Sequence, residues 1–171
     1  MLRSVLIIAG VTIAVALFAP DFVARHFERK PASAPRAMNV APPKQADHGG
    51  NVHISADRFG HFQAEVQVNG HSLDALVDTG ASYVVLKFED AQSLGVIYAG
   101  DPFDIPVQTA NGVGHARRVK LSSVRVGSVQ LDDVDAMVAE EGMLARNLLG
   151  MSFLRRLSRY EVRDNTLILG R

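Results

Sequence analysis

An all-β domain over residues 51–171 is the fold class this sequence predicts, and three local signals carry it. Apolar and polar residues alternate strictly from Phe62 onward, Asn-Gly and Asp-Asn pairs stand between apolar runs, and most of those runs have strand rather than helix length.

The N-terminal part reads differently. Between Arg3 and Asp21 lie 17 uncharged residues, the short end of what spans a bilayer. Residues 1–30 are therefore expected to be a membrane anchor and its flank. Cleavage as a signal peptide is the alternative, with Ala14-Val15-Ala16 as the small-residue site, although cutting there leaves a short apolar region. Residues 31–50 hold four of the seven prolines and close on Gly49-Gly50 without any hydrophobic period, the composition of a flexible linker.

From Phe62 to Val68 the residues Phe62, Ala64, Val66 and Val68 share one face, a half-buried strand. Asn69-Gly70 tolerates positive φ at both positions and suits a two-residue hairpin, so a return strand is expected from His71. That strand runs through Leu73, Ala75, Leu76 and Val77 into Asp78-Thr79-Gly80-Ala81. A carboxylate at the end of an apolar strand loses solvation unless nearby donors stabilise it. Asp-Thr-Gly can equally be an ordinary turn, in which Asp and Gly serve local hydrogen bonds and φ freedom. The tripeptide alone leaves the two readings level.

Further along, Val107 to Val113 reads as a strand turning through Asn111-Gly112, with Ala116 and Val119 on the return. Short strands are expected around Val124 to Val126, Val129 to Leu131 and Ala136 to Val138. A closing hairpin is expected from Tyr160 to Leu169 around Asp164-Asn165. Met151 to Leu157 carries apolar residues at helical spacing, one short C-terminal helix.

Composition narrows the function. The 18 basic and 18 acidic residues cancel, which argues against nucleic acid as a partner. The absence of cysteine excludes disulfides and Cys-ligated metal centres. No Gly-x-Ser-x-Gly, His-Glu-x-x-His or phosphate loop is present, and neither a metal nor a cofactor is expected.

Leu76-Val77-Asp78-Thr79-Gly80-Ala81, followed by the strand-like run Tyr83 to Leu86, resembles the signature of the retropepsin-like aspartic proteases. That family's second mark, an apolar pair and glycine before a short helix, is matched by Leu148-Leu149-Gly150, about 70 residues on. The resemblance covers roughly residues 51–171. It implies an acid-protease barrel with one short C-terminal helix, completed as a two-fold homodimer, and aspartic endopeptidase activity. Asp78 would be the catalytic carboxylate. Thr79 would bond across the axis, Gly80 would allow the tight turn, and Ala81 would leave room for an extended peptide substrate. The hairpin tip Thr109-Ala110-Asn111-Gly112 would be the flap over that substrate; taken alone it is only another surface hairpin. No tyrosine stands near this turn, unlike in pepsins, so flap contacts would come from backbone groups.

Aspartic proteolysis needs two carboxyl groups sharing one proton. This chain has a single Asp-Thr-Gly, and Glu89-Asp90, Asp101, Asp104 and Asp132-Asp133 read as solvated acids in polar loops. A second Asp78 is therefore expected from a second copy. Together with the apolar N-terminus, the resemblance implies a single-pass bacterial inner-membrane protein with a periplasmic domain. The charge count across the span mildly opposes that orientation, because Arg25, Arg29 and Lys30 follow it while only Arg3 and the terminal amine precede it. Two rival expectations remain. One is a catalytically silent dimeric binding module of the envelope; the other is a plain anchored β-scaffold in which Asp78 merely caps a turn.

Overall fold

The computed structural model describes residues 45–109 and 112–171. The anchor and most of the linker, residues 1–44, lie outside the described residues, as do the flap-tip residues Ala110 and Asn111.

Among the described residues the chain forms a mostly-β barrel with two short helices. The strands are β1 (Gln45–His48), β2 (Asn51–Ser55), β3 (Gln63–Val68), β4 (His71–Val77), β5 (Val84–Leu86), β6 (Ile105–Thr109), β7 (Gly112–Val126), β8 (Val129–Ala139), β9 (Asn147–Leu149), β10 (Arg159–Arg163) and β11 (Thr166–Gly170). The helices are α1 (Phe88–Ser93), between β5 and β6, and α2 (Met151–Leu154), after β9.

One sheet has the order β3-β4-β9-β5-β8-β7-β6, and a further β3–β7 pairing closes its first six strands into a ring. A smaller antiparallel sheet, β1-β2-β11-β10, stands beside it. Apolar residues from both sheets and α2 fill one core, including Ile54, Val66, Leu121, Leu149, Phe153 and Leu169.

The expected hairpins form where the turn residues demanded them. Val68 pairs with His71 around Asn69-Gly70, whose φ values of 51° and 87° are those that Asn and Gly accept with little strain. Asp164-Asn165, at φ 48° and 58°, turns β10 into β11.

Four features differ from the sequence reading. Residues 45–48, assigned by composition to the linker, pair as β1 along β2; the last proline of the linker is Pro43, so none falls within 45–48 to remove a ladder donor. The strands around Val124 and Val129 to Val138 are parts of two long ones, β7 and β8. Arg117-Arg118 and Asp132-Asp133 break the alternation there, yet Arg118, Asp132 and Asp133 are exposed and Arg117 half-buried, and Asp133, at φ 53° and skipped in the β7–β8 register, interrupts the ladder without ending it. Glu89-Asp90 and Asp132-Asp133 lie in α1 and β8 rather than in loops. The C-terminal helix covers only Met151–Leu154, and Leu157 reaches the core from the turns beyond it.

The loop from β2 to β3 is tied by Asp57. Its Oδ1 accepts the backbone N–H of His61 at 2.9 Å and of Phe59 at 2.8 Å. These bonds, led by that from His61, hold its carboxyl below the ordinary value. A lowered folded pKa contributes stability above the unfolded value, about 4, that is lost as pH falls through the folded one. The melting-temperature advantage of the wild-type chain over Asp57→Asn should accordingly be present at pH 5 and shrink below about pH 4. An advantage that persists undiminished at pH 2.5 would contradict this.

Candidate active site

Two segments about 70 residues apart meet at Asp78. Strand β9 inserts between β4 and β5, parallel to β4 with Leu76 opposite Leu148 and Val77 opposite Leu149. It is antiparallel to β5 at Val85. The two motifs found in the sequence therefore lie side by side, and the loop 78–83 passes around the end of β9. Asp78 N–H donates to the Leu149 carbonyl at 3.1 Å, and Met151 N–H donates to the Ala81 carbonyl at 2.8 Å.

The Asp78 carboxylate is half-buried, and its Oδ1 accepts the Gly80 N–H at 2.8 Å. A Cβ on residue 80 would stand 3.1 Å from that oxygen, so Gly80 is explained by the closeness of the carboxylate. Gly150 is more tightly constrained. A Cβ there would lie 2.0 Å from the Tyr83 carbonyl oxygen and 2.7 Å from that of Ala81. Its φ of −97° is open to any residue, so close passage of backbone, not handedness, requires glycine.

Two buried polar side chains brace this crossing, and the sequence reading missed both. Ser152 Oγ accepts the Val84 N–H at 2.8 Å. Asn147 Oδ1 accepts the Lys87 N–H at 2.9 Å, while its Nδ2 donates to the Asp74 carbonyl at 3.0 Å and to Asp90 Oδ2 at 2.7 Å. Asn147 thus ties β9 to β4 and to α1. The one signal in the sequence is a polar residue directly before an apolar pair, which periodicity does not interpret.

Asp78 opens into a groove of about 670 Å³. Gly80 to Tyr83 form one wall, Val85, Met137 and Leu148 the floor, and Pro106 to Thr109 of the β6–β7 hairpin the opposite wall. Met143 and Leu144, from the loop between β8 and β9, close one side; Met143 packs so closely on Gly114 that a Cβ there would overlap it. Of the predicted flap residues, Thr109 lines the groove and its hydroxyl donates to the Gly112 carbonyl at 2.8 Å. Gly112 has φ 114°, and Ala110 and Asn111 are outside the described residues. Leu149 is wholly buried in the core, so of the second motif only Leu148 faces the groove.

Among the described residues Asp78 is the one acidic side chain lining the groove. On its other side, Asp78 and Thr79 border a hollow of about 310 Å³ with Tyr160, Glu161 and Val162 of β10. Glu161 is engaged by arginines of its own strand. The hydrogen bond from Arg159, and then the charges of Arg159 and Arg163, hold its pKa below the ordinary value, and Arg163 Nη2 stands 3.3 Å away. Among the described residues no three His, Asp or Glu side chains are grouped to hold a metal ion.

This arrangement has counterparts. The family described as "gag-polyprotein putative aspartyl protease" matches residues 64–156. The chain is 40% identical over 110 residues to the uncharacterized protein in the cobV 5' region of Sinorhizobium sp, covering 64% of this chain and 47% of that one. It is 35% identical over 120 residues to the uncharacterized protein RP867 of Rickettsia prowazekii, covering 70% and 51%. The chain thus spans about half the length of these curated relatives. Among solved structures, a retropepsin-like aspartic protease from Rickettsia conorii matches with TM-score 0.62 and 34% identity, over 71% of this chain and all of that one. The EIAV protease complexed with the inhibitor HBY-793 shares the fold at TM-score 0.50 and 19% identity, over 64% of this chain and all of that one. The chain belongs to the retropepsin-like aspartic protease family.

Proposed function

We propose that the chain is an aspartic endopeptidase that acts as a homodimer, with one Asp78 from each copy, held at a membrane by its N-terminal segment. The observation that carries this reading is Asp78 itself, among the described residues the one carboxylate lining a groove of about 670 Å³, seated there by a backbone N–H.

In the paired site one Asp78 is ionised and the other protonated. The ionised carboxylate takes a proton from a water as its oxygen attacks the peptide carbonyl carbon, and the protonated one donates to the carbonyl oxygen. The C–N bond then breaks with a proton passing to nitrogen. Thr79 braces the two loops across the axis, Gly80 admits its N–H to the carboxylate, and Ala81 leaves space for substrate backbone. The peptide lies as an added strand between the segment 80–83 and the β6–β7 hairpin.

Strand β10 suits a second copy. Among the described residues it is one of the two edges of the smaller sheet, β1 being the other, and it carries Tyr160 at 42% and Val162 at 60% exposure beside the hollow that holds Asp78 and Thr79. An unpaired edge with outward apolar side chains is a ready surface for isologous pairing. Membrane attachment rests on the 17 uncharged residues after Arg3, with the domain on the periplasmic side of a bacterial inner membrane.

Mixing wild-type chain with Asp78→Asn chain under subunit exchange tests the pairing. Activity should follow the square of the wild-type fraction, since a mixed pair lacks either the acid or the base. Specific activity should also fall on dilution below the dissociation constant. A strictly linear mixing curve in subunits shown to exchange would overturn the paired mechanism. Peptide binding without cleavage by the wild-type dimer would instead leave a silent binding module.

A further inference from the structure

The floor of the groove is a row of residues paired across neighbouring strands: Leu148 on β9, Val85 on β5 and Met137 on β8. Directly paired residues project to the same face of a sheet. The next partner in the row, opposite Met137 on β7, is Arg118. An apolar floor therefore ends in a cation. The guanidinium of Arg118 is not loose, because Nη2 donates to the Tyr83 hydroxyl at 3.0 Å and its carbon stands 5.2 Å over the Tyr83 ring. Tyr83 is itself part of the groove wall.

Among the described residues its guanidinium makes no salt bridge of its own. The neighbouring carboxylate, Asp135, is bridged by Lys120 at 3.1 Å and also lies in the field of Arg118 and Arg155, three cations around one acid. On the other face of β7, Arg117 and His115 face their own acidic partners, Asp101 at 3.4 Å and Glu140 at 3.6 Å.

We propose that Arg118, held by Tyr83, is a specificity-determining residue that selects peptides bearing an acidic side chain at the outer end of the groove. This rests on the peptidase reading above. Leu148 and Arg118 stand three strand spacings apart in this row, about 14 Å, which a bound strand advancing about 3.3 Å per residue covers in about four residues from the centre of the groove. Two-fold pairing places an Arg118 at each end of the joint groove. The substrate class is thus an extended peptide with an apolar centre and acidic flanks on both sides.

The test uses the full chain and peptides with one apolar centre, carrying Glu, Gln or Lys at the third and fourth positions on both sides. An exposed charge pair is worth a few-fold, so the two ends together should favour Glu over Lys peptides by about tenfold in kcat/KM at low salt. The preference should fade at 1 M salt, where exposed charges are screened. Arg118→Gln should reduce it to less than about twofold, and Arg118→Glu should reverse it. An unchanged Glu-over-Lys order in Arg118→Glu would overturn the proposal. The same peptides are also titrated against the Asp78→Asn chain by fluorescence anisotropy, a readout that needs no turnover. There too the Glu-over-Lys order, abolished by adding Arg118→Gln, supports the subsite, and equal binding of all three peptides overturns it. Failure of the wild-type chain to cleave any peptide would count against the peptidase reading alone.

Discussion

Asp78→Asn is expected to lower kcat/KM for peptide cleavage by at least about 10³-fold, the scale of removing positioned acid–base chemistry. Asparagine is nearly isosteric with aspartate, and its Oδ1 can still accept the Gly80 N–H that the carboxylate accepts at 2.8 Å. It cannot hold and pass the shared proton. The fold should therefore survive, with a melting temperature within a few degrees of wild type. Turnover retained within tenfold, in chain shown to be folded by circular dichroism, would remove Asp78 from the chemistry. It would leave the reading in which Asp-Thr-Gly only shapes a turn.

Gly150→Ala should have the largest effect on stability. The added methyl would lie 2.0 Å from the Tyr83 carbonyl oxygen and 2.7 Å from that of Ala81. Both obstacles are backbone, so no side-chain rotation relieves them. Separating the strands would disturb the Met151 N–H bond to Ala81 and the Ser152 hydroxyl bond to Val84. Overpacking that forces backbone to move costs about 3 kcal/mol or more, which in a domain of this size lowers the melting temperature by about 10 °C. Gly80→Ala is the comparison. Its methyl would meet only the Asp78 carboxylate, at 3.1 Å, and should disturb activity far more than stability. A Gly150→Ala chain melting within about 2 °C of wild type would show that the crossing of the two segments is looser than this packing implies.

The elements legible in the sequence were those whose cause is local. Alternation from Phe62 to Val68, the Asn69-Gly70 and Asp164-Asn165 turns and the two short motifs at Asp78 and Gly150 all follow from side-chain period and φ preference within a few residues. Helix α1 was missed because Glu89-Asp90 looked like a polar loop, and the full lengths of β7 and β8 because charged residues interrupt their apolar runs. What the groove needs is not local. The insertion of β9 beside Asp78, the bracing by Asn147 and Ser152, and the floor row that ends in Arg118 each depend on pairing between segments far apart in the chain. By itself the sequence determined which residue carries the carboxylate and that Gly150 belongs to the same motif pair. Only the tertiary structure decided why Gly150 must be glycine and which side chains line the groove, because close approach and cross-strand register are properties of two segments together and leave no period in either one.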